Sequence, residues 1–145
     1  MLVAIVRARR SVIVTPYITG LYAGLLALLF AALSLRVIAR RRSTGVALGF
    51  GGRPDLERAT RAQANFAEYV PLSLMLMLVG ETSGLPAWAL HIAGLSLLLG
   101  RVVHAFGVSR DQEDFRFRVT GMALTLTVIL LLGIIAIARG FGLMV

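Results

Sequence analysis

Residues 11–35, 82–100 and 119–138 form three runs of 25, 19 and 20 residues without a formal charge. Crossing about 30 Å of hydrocarbon takes an α-helix of about 20 predominantly apolar residues. Three runs of that length in 145 residues define a polytopic membrane protein. The composition agrees: 58% of the chain is apolar and 15% charged, against roughly a quarter charged in a soluble domain. A soluble enzyme with its own aqueous core is excluded, and so is a disordered chain.

Charge sets a second bound. All fifteen basic residues are arginine, against seven acids, for a net +8. In a soluble protein that balance would point to nucleic acid. Here the arginines flank the apolar runs, as cytoplasmic flanks facing anionic headgroups do. The expected partners are therefore membrane lipids, with no nucleic acid. The absence of cysteine removes disulfides, thiolate metal sites and a cysteine nucleophile. Two histidines thirteen residues apart, His91 and His104, are a poor start for a zinc site, so no metal is expected.

The pattern predicts an all-α membrane protein, a four-transmembrane-helix bundle with helices at about 15–38, 55–82, 87–106 and 117–138. Thr15 is the expected N-cap of the first helix, with Pro16 tolerated at the next position. Gly20 and Gly24 form a GxxxG pair within it, a spacing that lets helix backbones approach in lipid. A glycine-rich loop over 43–52 follows. Pro54 then opens the second helix, with Asp55 and Glu57 in its first turn. The uncharged stretch of that helix, residues 69–80, is only 12 long. Arg61, Asn65 and Glu68 must therefore reach the membrane boundary.

Eleven arginines (36, 40, 41, 42, 53, 58, 61, 101, 110, 116 and 118) lie in loops one and three or on the helix ends flanking them, and loop two holds none. The positive-inside rule puts loops one and three in the cytoplasm and both termini outside the cell inner (plasma) membrane. Arg7, Arg9 and Arg10 oppose that rule. The expectation is that residues 1–14 are an extension, with Met1–Ile13 dispensable and a start at Val14 the better reading.

At 100° per residue, Arg58, Arg61, Asn65 and Glu68 fall within an arc of about 80° on the second helix. Ionisable groups at membrane depth face a bundle interior or a wet cavity. Guanidinium forks hold carboxylates, and a glutamate accepts from ammonium or amide N–H. Such a face suits a small zwitterion with carboxylates, an ammonium and peptide amides. The competing reading is structural, with Glu68 paired to an arginine of another helix.

The run 57–72, ERATRAQANFAEYVPL, resembles the signature of the MAPEG family, the membrane-associated proteins in eicosanoid and glutathione metabolism. Residues 100–105, GRVVHA, resemble the family's second block, and Arg118 stands where the family places an arginine. The resemblance spans about residues 15–141. It implies a homotrimer with glutathione as co-substrate, bound between subunits on the cytoplasmic side. Position by position, Arg61, Gln63, Asn65, Glu68 and Tyr69 would contact glutathione. Arg101 and Arg41 would support its carboxylates, and His104 would join them unless it is a packed interfacial histidine. Arg118 would face the thiol as the catalytic residue. One turn beyond His104, where catalytic members often carry a tyrosine, this chain has Val108.

The resemblance thus implies a glutathione-dependent membrane transferase or peroxidase acting on a lipophilic electrophile. Two alternatives stand beside it: a non-catalytic lipid-binding or scaffold protein of the same fold, and a small four-helix exporter. Of the remaining polar residues, His91 is expected to make an interhelical hydrogen bond. Asp111, Glu113 and Asp114 lack the glycine turn of a calcium loop and are expected to be solvated. Trp88 and Tyr17 are expected at the outer interface.

Overall fold

The computed structural model describes residues 15–110 and 115–142. The extension at 1–14 and the acidic cluster Asp111, Glu113 and Asp114 lie outside the described residues. Four helices follow in order: α1 (Tyr17–Thr44), α2 (Pro54–Thr82), α3 (Ala87–Val108) and α4 (Phe115–Gly140). The fold is the expected all-α membrane bundle. α1, α3 and α4 are each long and apolar enough to cross a bilayer. α2 carries its apolar residues in its second half, after a first half that holds Asp55, Glu57, Arg58, Arg61 and Glu68.

α1 continues beyond residue 38 to Thr44, and Gly45 ends it in the left-handed region at φ 68°. Hydropathy falls where Arg40, Arg41 and Arg42 begin, yet arginine is a good helix former. The backbone ladder therefore runs on to the first residue that takes the left-handed C-cap readily. The other end of α1 also departs from expectation. Its N-cap position is Pro16, and no side chain caps it locally. Instead the buried carboxylate of Glu81, in the last turn of α2, accepts from the backbone N–H of Ile18 at 2.8 Å and of Thr19 at 2.7 Å. A carboxylate there satisfies two orphan donors and offsets the positive end of the helix dipole. The start of α1 is thereby tied to the end of α2.

α2 and α3 each pack against both α1 and α4, whereas α1 and α4 do not meet among the described residues. The core runs between them through Leu26, Phe66, Met77, Leu97 and Val128. His91 makes an interhelical contact, with Nδ1 3.2 Å from the Tyr22 hydroxyl, which also donates to the His91 carbonyl. Tyr17, Trp88 and Phe141 are exposed where α1 and α3 begin and α4 ends, so one rim of the bundle is aromatic. Gly20 and Gly24 have no heavy atom within 4 Å of where a Cβ would stand. Their ridge faces outward and packs against nothing among the described residues.

α3 and α4 cross with their backbones close together. A Cβ on Gly121 would stand 2.6 Å from the Gly100 carbonyl oxygen and 2.7 Å from the His104 Cβ. A Cβ on Gly107 would stand 2.7 Å from the Phe117 Cβ and 3.1 Å from the Arg118 amide nitrogen. Only glycine at these two positions lets α4 lie this close to α3, and the segment brought in carries Arg118.

Candidate functional site

A cavity of about 570 Å³ opens where the N-terminal halves of α2 and α4 meet the end of α3. Its lining includes Arg58, Arg61, Asn65 and Glu68 from α2, His104 and Val108 from α3, and Arg118 from α4. The volume lies within the usual range for small-molecule sites. The polar arc of α2 therefore faces a cavity rather than lipid. Three guanidiniums and an imidazole share it with the carboxylates of Glu57 and Glu68.

Local structure holds the parts in place. Arg40 and Arg53 lie 3.5 and 3.7 Å from the Asp55 carboxylate, fixing the start of α2 beside the basic end of α1. Arg61 is 3.9 Å from Glu57 one turn earlier, an exposed pair contributing little by itself. Glu68 is exposed to the cavity and has no hydrogen bond or ion pair among the described residues. Arg118 stacks its guanidinium 5.7 Å from the centre of the Phe115 ring. The His104 Nδ1 lies 3.3 Å from the Arg118 carbonyl.

Behind the cavity lies Arg101, at 2% exposure one of the most enclosed large side chains. It donates to the Asn65 side-chain oxygen at 2.7 Å, to the Gly121 carbonyl at 3.3 Å and to the Met122 sulfur at 3.4 Å. Its guanidinium also sits 5.9 Å from the centre of the Tyr69 ring. A buried charge is costly unless its donors find partners. Here the two terminal nitrogens find an amide oxygen, a carbonyl and a thioether beside an aromatic face, while Nε has no partner among the described residues. Arg101 thus orients Asn65 at the cavity wall and clamps α2 against α4.

Of the residues expected to form the site, Arg61, Asn65, Glu68, His104 and Arg118 line one cavity. Arg101 and Tyr69 stand behind that wall. Gln63 points the other way, donating to the Ser34 hydroxyl of α1 at 3.3 Å. Arg41 is engaged in the first loop, donating to the carbonyls of Val46, Ala47 and Gly49 at 3.4, 3.0 and 3.2 Å. Sequence reasoning passed over Pro54 and Glu57 as lining residues. Their signal was their place on the same helix face as Arg61 and Glu68, overlooked because acids in a first turn have a sufficient role as dipole partners.

Similarity to known proteins agrees with this architecture. The profile of the MAPEG family matches residues 19–138. The inner membrane protein YecN of Escherichia coli strain K12 is 39% identical over 115 residues, covering 79% of this chain and 86% of YecN. YecN of Escherichia coli O6:H1 strain CFT073 matches to the same extent. With a family profile matched across all four helices and relatives at this identity, the chain belongs to the MAPEG family.

Proposed function

We propose that the protein is an inner-membrane, glutathione-dependent transferase or peroxidase that acts on lipophilic electrophiles as a homotrimer. The observation that carries this reading is the cavity that gathers Arg58, Arg61, Asn65, Glu68, His104 and Arg118 at one end of the bundle. Its guanidiniums match the two carboxylates of glutathione, and Glu68 matches its ammonium or amide N–H groups. Arg118 favours thiolate over thiol by charge, and the thiolate is the nucleophile. The electrophile reaches the site from the lipid side. Loops one and three face the cytoplasm and the aromatic rim faces outward, so glutathione enters from the cytoplasm.

The test is calorimetric titration of the purified protein with glutathione, followed by turnover with a reactive aryl halide and with a lipid hydroperoxide. Saturable binding with thiol-dependent turnover is expected. A non-catalytic lipid-binding role is favoured by one observation, the apolar Val108 at the cavity wall. Glutathione binding without turnover of either substrate would establish that second reading. An exporter is disfavoured because the acid on the cavity, Glu68, stands among arginines at the basic end of the bundle rather than alone deep in a helix. Proton-coupled dye efflux from vesicles would restore it.

A further inference from the structure

We propose that His104 is the base that takes the thiol proton of the bound co-substrate, leaving the thiolate paired with Arg118. The proposal rests on the glutathione-dependent reading above and assigns the proton step within that site. The Nδ1 atom of His104 faces the Arg118 carbonyl at 3.3 Å. A carbonyl can only accept, so Nδ1 carries the hydrogen and Nε2 carries the lone pair. Nε2 has no hydrogen-bond partner among the described residues, and the ring lines the cavity. A contact from the neighbouring helix that fixes the tautomer, on an imidazole that lines the cavity, leaves Nε2 as the nitrogen able to take a proton, as a general base requires.

The backbone supports that assignment. Gly121 and Gly107 bring α4 within contact of the His104 backbone and place Arg118 against the same turn of α3. Base and guanidinium thus come from the two helices of one close crossing and line the same cavity. Tyrosine is absent from the next turn, where Val108 offers no proton-transfer group. The charged groups around the imidazole are Arg101 on α3, Arg118 on α4, and Arg58, Arg61, Glu57 and Glu68 on α2. A lone imidazolium among these guanidiniums is unfavourable. An imidazolium formed together with a thiolate adds no net charge to the cavity.

The step is balanced. The S–H bond breaks, its proton moves to Nε2, and the electron pair stays on sulfur beside the Arg118 guanidinium. With an aryl halide, a C–S bond forms, halide departs and His104 returns its proton to water. With a hydroperoxide, sulfur attacks the terminal oxygen and the O–O bond breaks. The imidazolium then protonates the departing alkoxide, and a second thiol reduces the sulfenic product to disulfide and water.

The wild-type protein provides the decisive measurement. Thiolate formed on glutathione binding is read by its ultraviolet absorbance. Proton release is read by titration in buffers of different ionisation enthalpy. At about pH 8, where free imidazole is neutral, thiolate should appear with almost no proton released to the buffer. Release of one proton per thiolate, or glutathione bound wholly as thiol, overturns the proposal. His104→Gln keeps a donor for the Arg118 carbonyl but cannot hold the proton. It should bind glutathione within about threefold of wild type and lose about 100-fold in turnover at neutral pH. Turnover should recover above about pH 9, where the thiol ionises unaided. Unchanged turnover at neutral pH overturns the assignment of His104 alone. Failure of the wild type to bind glutathione removes the functional reading as well.

Discussion

Glu68 and Arg118 line the same cavity, yet their chemistry predicts different failures when each is changed. Glu68 presents to the cavity a carboxylate that can hold the ammonium or amides of glutathione in ground and transition states alike. Glu68→Gln should weaken glutathione binding by about 1.5–3 kcal/mol, the range of a hydrogen bond to a charged group, with little effect on the rate at saturation. In the proposed reaction Arg118 faces the sulfur instead. Arg118→Leu should leave affinity nearly intact, raise the thiol pKa of the bound complex and slow turnover. Calorimetry and thiolate absorbance against pH separate the two outcomes. If both variants lose affinity equally, the residues serve binding only. The polar face of α2 was legible in the sequence because Arg58, Arg61, Asn65 and Glu68 recur at helical spacing beside a hydrophobic stretch too short to span. Where Arg101 would go was not. A lone arginine in α3 gives no sign that its partners are Asn65, the Gly121 carbonyl and the Met122 sulfur, on helices 20 to 36 residues distant in sequence.

At the scale of the helices, two contacts between distant segments determine where the site sits. Glu81 closes the start of α1 through the amides of Ile18 and Thr19. Glu81→Ala leaves both donors unpaired at a partly enclosed helix end and removes the charge that opposes the dipole. It should cost about 1–2 kcal/mol, read as lower thermal stability in detergent with the polar cavity at the other end of the bundle unaffected. Gly121 is the other contact. Gly121→Ala places a methyl 2.6 Å from the Gly100 carbonyl oxygen, a backbone atom that cannot swing aside. The crossing must widen at a cost of about 1–3 kcal/mol, and turnover should fall further than glutathione affinity as His104 and Arg118 separate. Hydropathy located α1, α3 and α4 well, because the bilayer leaves few other places for about 20 apolar residues, whereas α2 was legible from Pro54 and the acids of its first turn. It located their ends poorly. Apolar content marks where lipid stops, whereas α1 ends where Gly45 turns left-handed and begins where a carboxylate 62 residues away reaches its amides.

For the molecule as a whole, the unresolved pressure is its outward surface. Only 22% of the most apolar window of α1, and 22% of that of α4, is buried within the chain, against 44% for α3. Much of that surface suits lipid, but two parts do not. The cavity edge exposes the Glu68 carboxylate at the membrane boundary, where a lipid neighbour is costly. The ridge of Gly20 and Gly24 lies open beside a shallow groove between α1 and α2, walled by Ala23, Ala27, Phe30, Ala67 and Pro71. Small residues left open on a membrane helix lower the cost of a second helix packing there. In a closed ring of copies, the α1–α2 face of one chain packs against the cavity edge of the next, so one repeated contact covers both surfaces. Native mass spectrometry from mild detergent should therefore show three copies. Gly20→Leu combined with Gly24→Leu should shift that population toward monomer and weaken glutathione binding together, because one contact supports both. A monomer that keeps wild-type thermal stability and glutathione affinity would show that each chain holds a complete site, and that the exposed ridge is lipid-facing surface.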